Sequence, residues 1–135
     1  MTEGHPPRAE VRSWRLGPDS WILRLVGELD ALTVPAFETK LANLTDSSGP
    51  LSLVVDLTAV TFAFSAALGA LVQARLAVEA AGGRLVLVVP SEGRARRLLT
   101  LTNLLAYFEV REVLEDALLV ARRPGPEASG DAPPR

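Results

Sequence analysis

No cysteine occurs among these 135 residues, which excludes disulfides, thiolate nucleophiles and thiolate-held metals. Histidine is nearly absent too. The one imidazole is His5, in the Pro- and charge-rich opening "MTEGHPPRAE", a stretch that reads as a flexible tail over residues 1–10. A Ser-His-Asp triad needs an imidazole fixed beside its nucleophile, so serine hydrolysis has no base here. No dense acidic cluster sits in a loop to hold a divalent cation. The glycines of "GGRLVLVV" precede a strand, the reverse of a phosphate-binding loop that leads into a helix. Self-contained catalysis is therefore not expected, nor is a cofactor. A nucleotide-binding or hydrolysing protein is the weakest of the readings weighed.

An excess of positive charge is also missing. The formal net charge is −2 and the sequence pI about 5.4, against the basic balance of most nucleic-acid binders. All the cationic side chains but Lys40 are arginine, a bias that reflects genome composition rather than function. The N-terminus has no apolar core of a signal peptide, so the cytoplasm is the expected location. Residues 57–74 carry no charge over eighteen positions, near the lower limit for a membrane-spanning helix. Thr58, Thr61, Ser65 and Gln73 interrupt that stretch, and its first part has strand character. A buried strand followed by a buried helix is the better reading.

What is present is ordinary for one globular domain: 48% hydrophobic and 22% charged residues, in a chain long enough to bury a core. "VRSWRLG" and "WILRLVGEL" flank the turn "GPDS", as in a β-hairpin. In the second strand Ile22, Arg24 and Val26 share one face, and Trp21, Leu23 and Leu25 the other. "TVPAFETKLANL" offers Thr33 as N-cap, Pro35 in the first turn, and an apolar stripe of Val34, Phe37, Leu41 and Leu44. "LSLVVDL" is apolar enough for a central strand. A helix from about Ala66 to Ala81 follows and stops at Gly82-Gly83. "RLVLVVP" is another buried strand. "EGRARRLLTLT" is a short helix with Leu98, Leu99 and Leu101 facing inward. "YFEV" is a short last strand, "REVLEDALLVAR" a final helix, and residues 121–135 a disordered tail. The order ββαβαβα(β)α implies a single α/β domain over residues 11–120 with right-handed crossovers.

Two loops at strand ends are candidates for a site: "GELD", ending at Asp30, and the turn at Ser65, where β-branched residues give way to an Ala/Leu-rich run. Loops beyond the carboxyl ends of strands are where α/β proteins build sites. A helix start tolerates added phosphate, because its free N–H groups carry partial positive charge. Ser65 therefore reads either as an N-cap, worth about 1 kcal/mol, or as a phosphoacceptor. Asp56, which ends "LVVD", reads as an acceptor for nearby loop N–H groups. Arg94, Arg96 and Arg97 read as a solvated helix face or a contact for an acidic partner surface.

Taken in order, "GELD", "VPAFETKL", "LVVDLTAVTF", the serine turn with "LGAL", "AGGRLVLVVPS" and "RRLLTLTNLLAYFEV" resemble a STAS domain, and in particular the stand-alone bacterial anti-sigma factor antagonists. The resemblance runs from about Val11 to Val120. It implies a mixed β-sheet with helices packed on it and a regulatory serine at the start of the helix after "VVDL". It also implies an anti-sigma factor partner, typically a serine kinase of the GHKL type, which the unphosphorylated form sequesters and the phosphorylated form releases. Carried over by position, Ser65 is the phosphoacceptor and Asp30 the "GELD" aspartate near it. The family's Asp-Ser-Ser-Gly reads Phe64-Ser65-Ala66-Ala67 here. With Asp30, Phe64, Ser65, Ala66, Ala67 and Ala70 as the partner-binding set, Ala66, Ala67, Ala70 and Ala74 are expected to give the helix a small apolar outer face. A diverged module that binds its partner constitutively is the alternative, and that apolar face also permits a homodimer.

Overall fold

In the computed structural model, residues 9–30, 33–46, 49–63 and 65–121 are described. The alternation read in the first two strands is realised as a hairpin. β1 (Ala9–Gly17) pairs antiparallel with β2 (Ser20–Leu29) around Pro18-Asp19. The chain then runs through α1 (Val34–Thr45), β3 (Ser52–Ala63), α2 (Ser65–Ala80), β4 (Arg84–Val88), α3 (Arg94–Leu101), β5 (Glu109–Arg111) and α4 (Leu114–Ala121). β2, β3, β4 and β5 are mutually parallel, so the five-stranded sheet is mixed, in the spatial order β1-β2-β3-β4-β5.

That order dictates the layers. Each parallel crossover steps one strand in the same direction, and right-handed crossovers of that kind must all lie on one face. The main core accordingly joins Leu23 and Leu25 of β2, Leu53 and Val55 of β3, and Leu85 and Leu87 of β4 to Phe37 and Leu41 of α1, Leu71 and Val78 of α2, and Leu99 of α3. The opposite face goes to α4, whose Ala117, Val120 and Ala121 cover Ile22, Val54, Val86 and Val88. β3 lies between the layers, and Leu53, Val54 and Val55 are all fully buried. Each such side chain stabilises the fold by about 1.5–3 kcal/mol.

Local chemistry sets the ends. α2 ends at Ala80 and the chain turns away at Gly82, which takes φ +84°, while the Gly83 N–H bonds the Val78 carbonyl at 2.9 Å, a left-handed C-terminal turn that favours glycine. Gly83 itself lies against the Leu51 backbone, where an added Cβ would sit 2.2 Å from the Leu51 carbonyl oxygen. At the far edge, Arg84 reaches Glu109 with two 2.8 Å bonds and staples β4 to β5. Hydrogen bonding to that carboxylate raises the Arg84 guanidinium above its ordinary pKa, with a further charge attraction working against burial.

Several boundaries differ from the sequence reading. β1 starts at Ala9, inside the stretch read as the N-terminal tail, because residues 9–15 find register partners on β2. α4 begins at Leu114 rather than 111, since Arg111 is held in β5 opposite Val88. It extends through Ala121, one residue into the stretch read as the C-terminal tail. Leu101 does not face inward: it is 74% exposed, on the side of α3 away from buried Ala95 and Leu99. The remainder of both tail assignments, and His5, lie outside the described residues. Among the described residues, no helix is long and apolar enough to cross a membrane. The uncharged stretch 57–74 divides between β3 and α2.

Candidate functional site at the carboxyl ends of β2 and β3

β2 and β3 finish level with one another, Leu29 opposite Ala63. The loop at Asp30 and the start of α2 at Ser65 therefore emerge side by side at one end of the sheet. β4 ends much earlier, with Val88 opposite Asp56. The part of β3 beyond Asp56 is covered by α3 instead. Leu57 and Val60 of β3, Ala67, Leu68 and Leu71 of α2, and Ala95, Leu98 and Leu99 of α3 surround one small apolar cavity. The first turns of α2 are thus seated between the sheet and α3.

The "GELD" loop is built by its own side chains. Gly27 takes φ +96° at an irregularity in the β2–β3 register, a backbone state that β-branched neighbours such as Val26 would strain to adopt. After buried Leu29, the Asp30 carbonyl accepts from the N–H groups of Thr33 and Val34 at 3.1 and 2.9 Å. The Asp30 carboxylate Oδ1 accepts from the Thr33 N–H at 3.1 Å. Thr33 was the expected cap of α1, and it does precede the helix. Its hydroxyl instead turns back, accepting the Asp30 N–H at 2.9 Å and donating to the Glu28 carbonyl at 2.6 Å. The side-chain acceptor at the head of α1 is therefore the Asp30 carboxylate.

α2 begins at Ser65, one position beyond Phe64, while β3 ends at Ala63. No acidic residue lies in its first turn, so the partial positive charge of the helix start is not offset from within the helix. Phe64 and the side chains of Ser65 and Ala66 lie outside the described residues. Ala67 and Ala70 are 2% and 5% exposed, and Ala74 is buried with them. This corrects the expected outer face. These alanines line the core side of α2, because only small side chains let the helix sit close to the sheet and α3, and Ala67 and Ala70 have no surface for a partner to touch. The outward side carries Gly69, Gln73, Leu76 and Ala80 instead. A Cβ built on Gly69 would meet nothing within 4 Å.

Asp56 lies partway along β3, opposite Arg24 and well short of this end of the sheet, on the α4 side. It is 1% exposed and accepts from Arg24 Nε at 2.9 Å, from the Thr58 N–H at 2.9 Å and from the Thr58 hydroxyl at 2.7 Å. The Arg24 guanidinium also sits 5.3 Å from the Trp14 ring centroid. The expectation that Asp56 accepts from nearby loop N–H groups is met only in part: its one backbone donor is Thr58, inside β3, and the others are the Arg24 guanidinium and the Thr58 hydroxyl. Arg24 is the partner that sequence reasoning missed. The signal was available: a lone charge stands fifth in "SWILR" and fifth in "SLVVD", strands that pair in register from Ser20↔Ser52 to Arg24↔Asp56.

Residues 16–117 match the family described as the STAS domain. The chain belongs to the STAS domain family. Its fold is shared with an anti-sigma factor antagonist from Mycobacterium paratuberculosis, at 27% identity and a TM-score of 0.70, with 85% of this chain and 95% of that one covered. It is likewise similar to an anti-sigma factor antagonist (STAS) domain protein from Planctomyces limnophilus, at 16% identity, 84% and 98% coverage and a TM-score of 0.69. The Bacillus cell fate determinant SpoIIAA in its phosphorylated form shows 20% identity, 84% and 100% coverage and a TM-score of 0.63. These likenesses agree with the mixed sheet, the four helices and the single-domain architecture expected of the family.

Proposed function

We propose that this STAS domain protein is an anti-sigma factor antagonist: a regulatory binding protein, not an enzyme, that sequesters an anti-sigma factor of the GHKL serine kinase type in the cytoplasm and is released when Ser65 is phosphorylated. The observation that carries the reading is the position of Ser65. It heads α2, side by side with the Asp30 loop, at the end of the sheet where β2 and β3 finish together. Likeness to the mycobacterial antagonist supports it, and SpoIIAA, which shares the fold, is known in phosphorylated and unphosphorylated forms.

The chemistry is that of a charge switch. A phosphoryl group adds about −1.5 to −2 charges at neutral pH. At a helix start this charge is compatible with the fold, since the helix dipole favours it. In a desolvated protein interface it is not, unless the partner supplies a counter-charge. The fold thus survives modification while the complex does not.

A second reading rests on the turn itself. Phe64, Ala66 and Ala67 replace the family's Asp, Ser and Gly, and Ala67 is packed into the core. A turn of this composition suits constitutive binding without phosphorylation. Titration of the chain with the kinase, with and without ATP and Mg²⁺, separates the two. Switching predicts ATP-driven release, phosphate on Ser65, loss of binding in Ser65→Asp, and ATP-insensitive binding in Ser65→Ala. Tight binding that ATP leaves unchanged, with Ser65 unmodified, supports the constitutive reading. Sedimentation of the free chain tests for a homodimer.

A further inference from the structure

α3 presents two unlike sides. Ala95 and Leu99 are buried, and Arg96 turns inward to donate to the carbonyls of Val89 and Pro90 at 3.0 and 2.6 Å. Arg94, Arg97 and Leu101 are exposed. Their spacing of three and four residues places them in one row along the helix. Leu101, at 74% exposure, is the most exposed of the large hydrophobic side chains described. Arg94, Arg97 and Leu101 line an open cleft of about 680 Å³ together with Arg96, Thr100 and one carboxylate, that of Glu92. No acidic residue lies in the first turn of α3.

Arg96 already secures the helix to the end of β4, and Leu101 gains nothing from its position. A leucine left in water beside two guanidiniums has the composition of an interface edge, an apolar contact rimmed by arginine. The charge decides the partner's chemistry: three arginines outnumber Glu92 in the cleft, so it repels a basic surface and attracts a carboxylate-rich one. α3 also shares its buried side with the first turns of α2 through the common cavity. A partner seated on the Ser65 end of α2 therefore has α3 beside it.

We infer that the Arg94–Arg97–Leu101 row is a second docking surface for the same partner, receiving an acidic segment whose carboxylates meet the guanidiniums and whose apolar residue covers Leu101. This rests on the proposed role of the Ser65 end as the primary contact. The row lies on α3 and Ser65 on α2, so the row contributes to encounter and orientation rather than to switching.

The test uses the full chain in its host with p-benzoylphenylalanine introduced at position 101, and separately at position 73 on the outward side of α2. Photocrosslinking of one and the same protein from both positions, through an Asp/Glu-rich peptide at position 101, is expected. Crosslinking from position 73 alone overturns this inference and leaves the proposed function standing. Crosslinking from position 101 alone supports α3 docking and removes the Ser65 end as the contact. Neither position crosslinking overturns both, and a neutral or basic peptide at position 101 overturns the acidic partner. With that crosslinked protein purified, Arg97→Glu should slow association about tenfold at low salt, and less at high salt. Arg12→Glu changes the net charge equally at the far edge of the sheet and should have a smaller effect. Equal effects of the two variants would reduce the row to general charge and overturn its role as a site.

Discussion

Arg24 and Asp56 face one another across adjacent parallel strands, Nε to Oδ2 at 2.9 Å, and theirs is the one buried carboxylate among the described residues. The pair sits where the β2–β3 register breaks, between Arg24 and Val26. Asp56 bonds the N–H and the hydroxyl of Thr58 across that irregularity. The carboxylate thereby fixes how β3 continues towards Ser65.

Asp56→Ala removes three accepted hydrogen bonds and leaves Arg24 without its counter-ion. Loss of one partner of a fully buried pair costs about 3–5 kcal/mol, but Arg24 keeps 34% side-chain exposure. The expected loss is therefore lower, about 2–3 kcal/mol, read from urea unfolding. Asp56→Asn retains an acceptor for Thr58 and should lose less. Since Asp56 lies on the α4 side of the sheet, whatever folds should still bind the partner.

Gly83→Ala tests a contact of a different kind. The added Cβ would stand 2.2 Å from one backbone atom of Leu51 and 2.6 Å from another. Backbone cannot rotate aside as a side chain can, so the α2–β4 connection or the start of β3 must shift. Overpacking of this type costs about 1–3 kcal/mol or more. A lowered Tm with an unchanged far-ultraviolet circular dichroism spectrum at low temperature is expected.

Asp30→Ala removes the carboxylate that bonds the Thr33 N–H at the head of α1. Loss of such an acceptor costs about 1 kcal/mol. Hydrogen exchange should report it locally, as faster exchange at Thr33 and Val34 with the β3 and β4 amides unaffected. If the loop contacts the partner, affinity falls by more than this loss of order accounts for.

The strands were legible because period-two alternation survives burial on one face, and because a near-continuous apolar run marks a strand covered on both. Ile22 and Leu23 fall on opposite sides of the sheet, as their alternation requires. α1 was legible for the same reason at helical period, with Val34, Phe37, Leu41 and Leu44 all buried. α2 is different: small apolar residues surround it almost completely, so periodicity offers no contrast to say which alanines turn inward. In α3 the run Leu98-Leu99-Thr100-Leu101 holds leucines on both sides, and only Leu99 is fully buried. The candidate site was reached through the order of family motifs, not through any chemistry of its own. A lone serine at a strand–helix joint is equally a cap, and at the head of α1 the side-chain acceptor is Asp30, three residues from the expected Thr33.

Gly69 separates fold from function on α2. It lies inside a helix, four residues after Ser65, is exposed, and has nothing within 4 Å of where a Cβ would stand. Neither packing nor backbone conformation requires a glycine there. Helical glycine costs about 1 kcal/mol relative to alanine through the freedom it loses on folding. Gly69→Ala should therefore stabilise the free chain by about 0.5–1 kcal/mol, seen as a higher urea midpoint with unchanged slope. If α2 docks its outward side against the partner, the added methyl meets the approaching surface, and affinity falls although stability rises. Opposite signs in unfolding and binding identify Gly69 as a point of close approach. A variant that is more stable and binds equally well places the contact elsewhere on the helix.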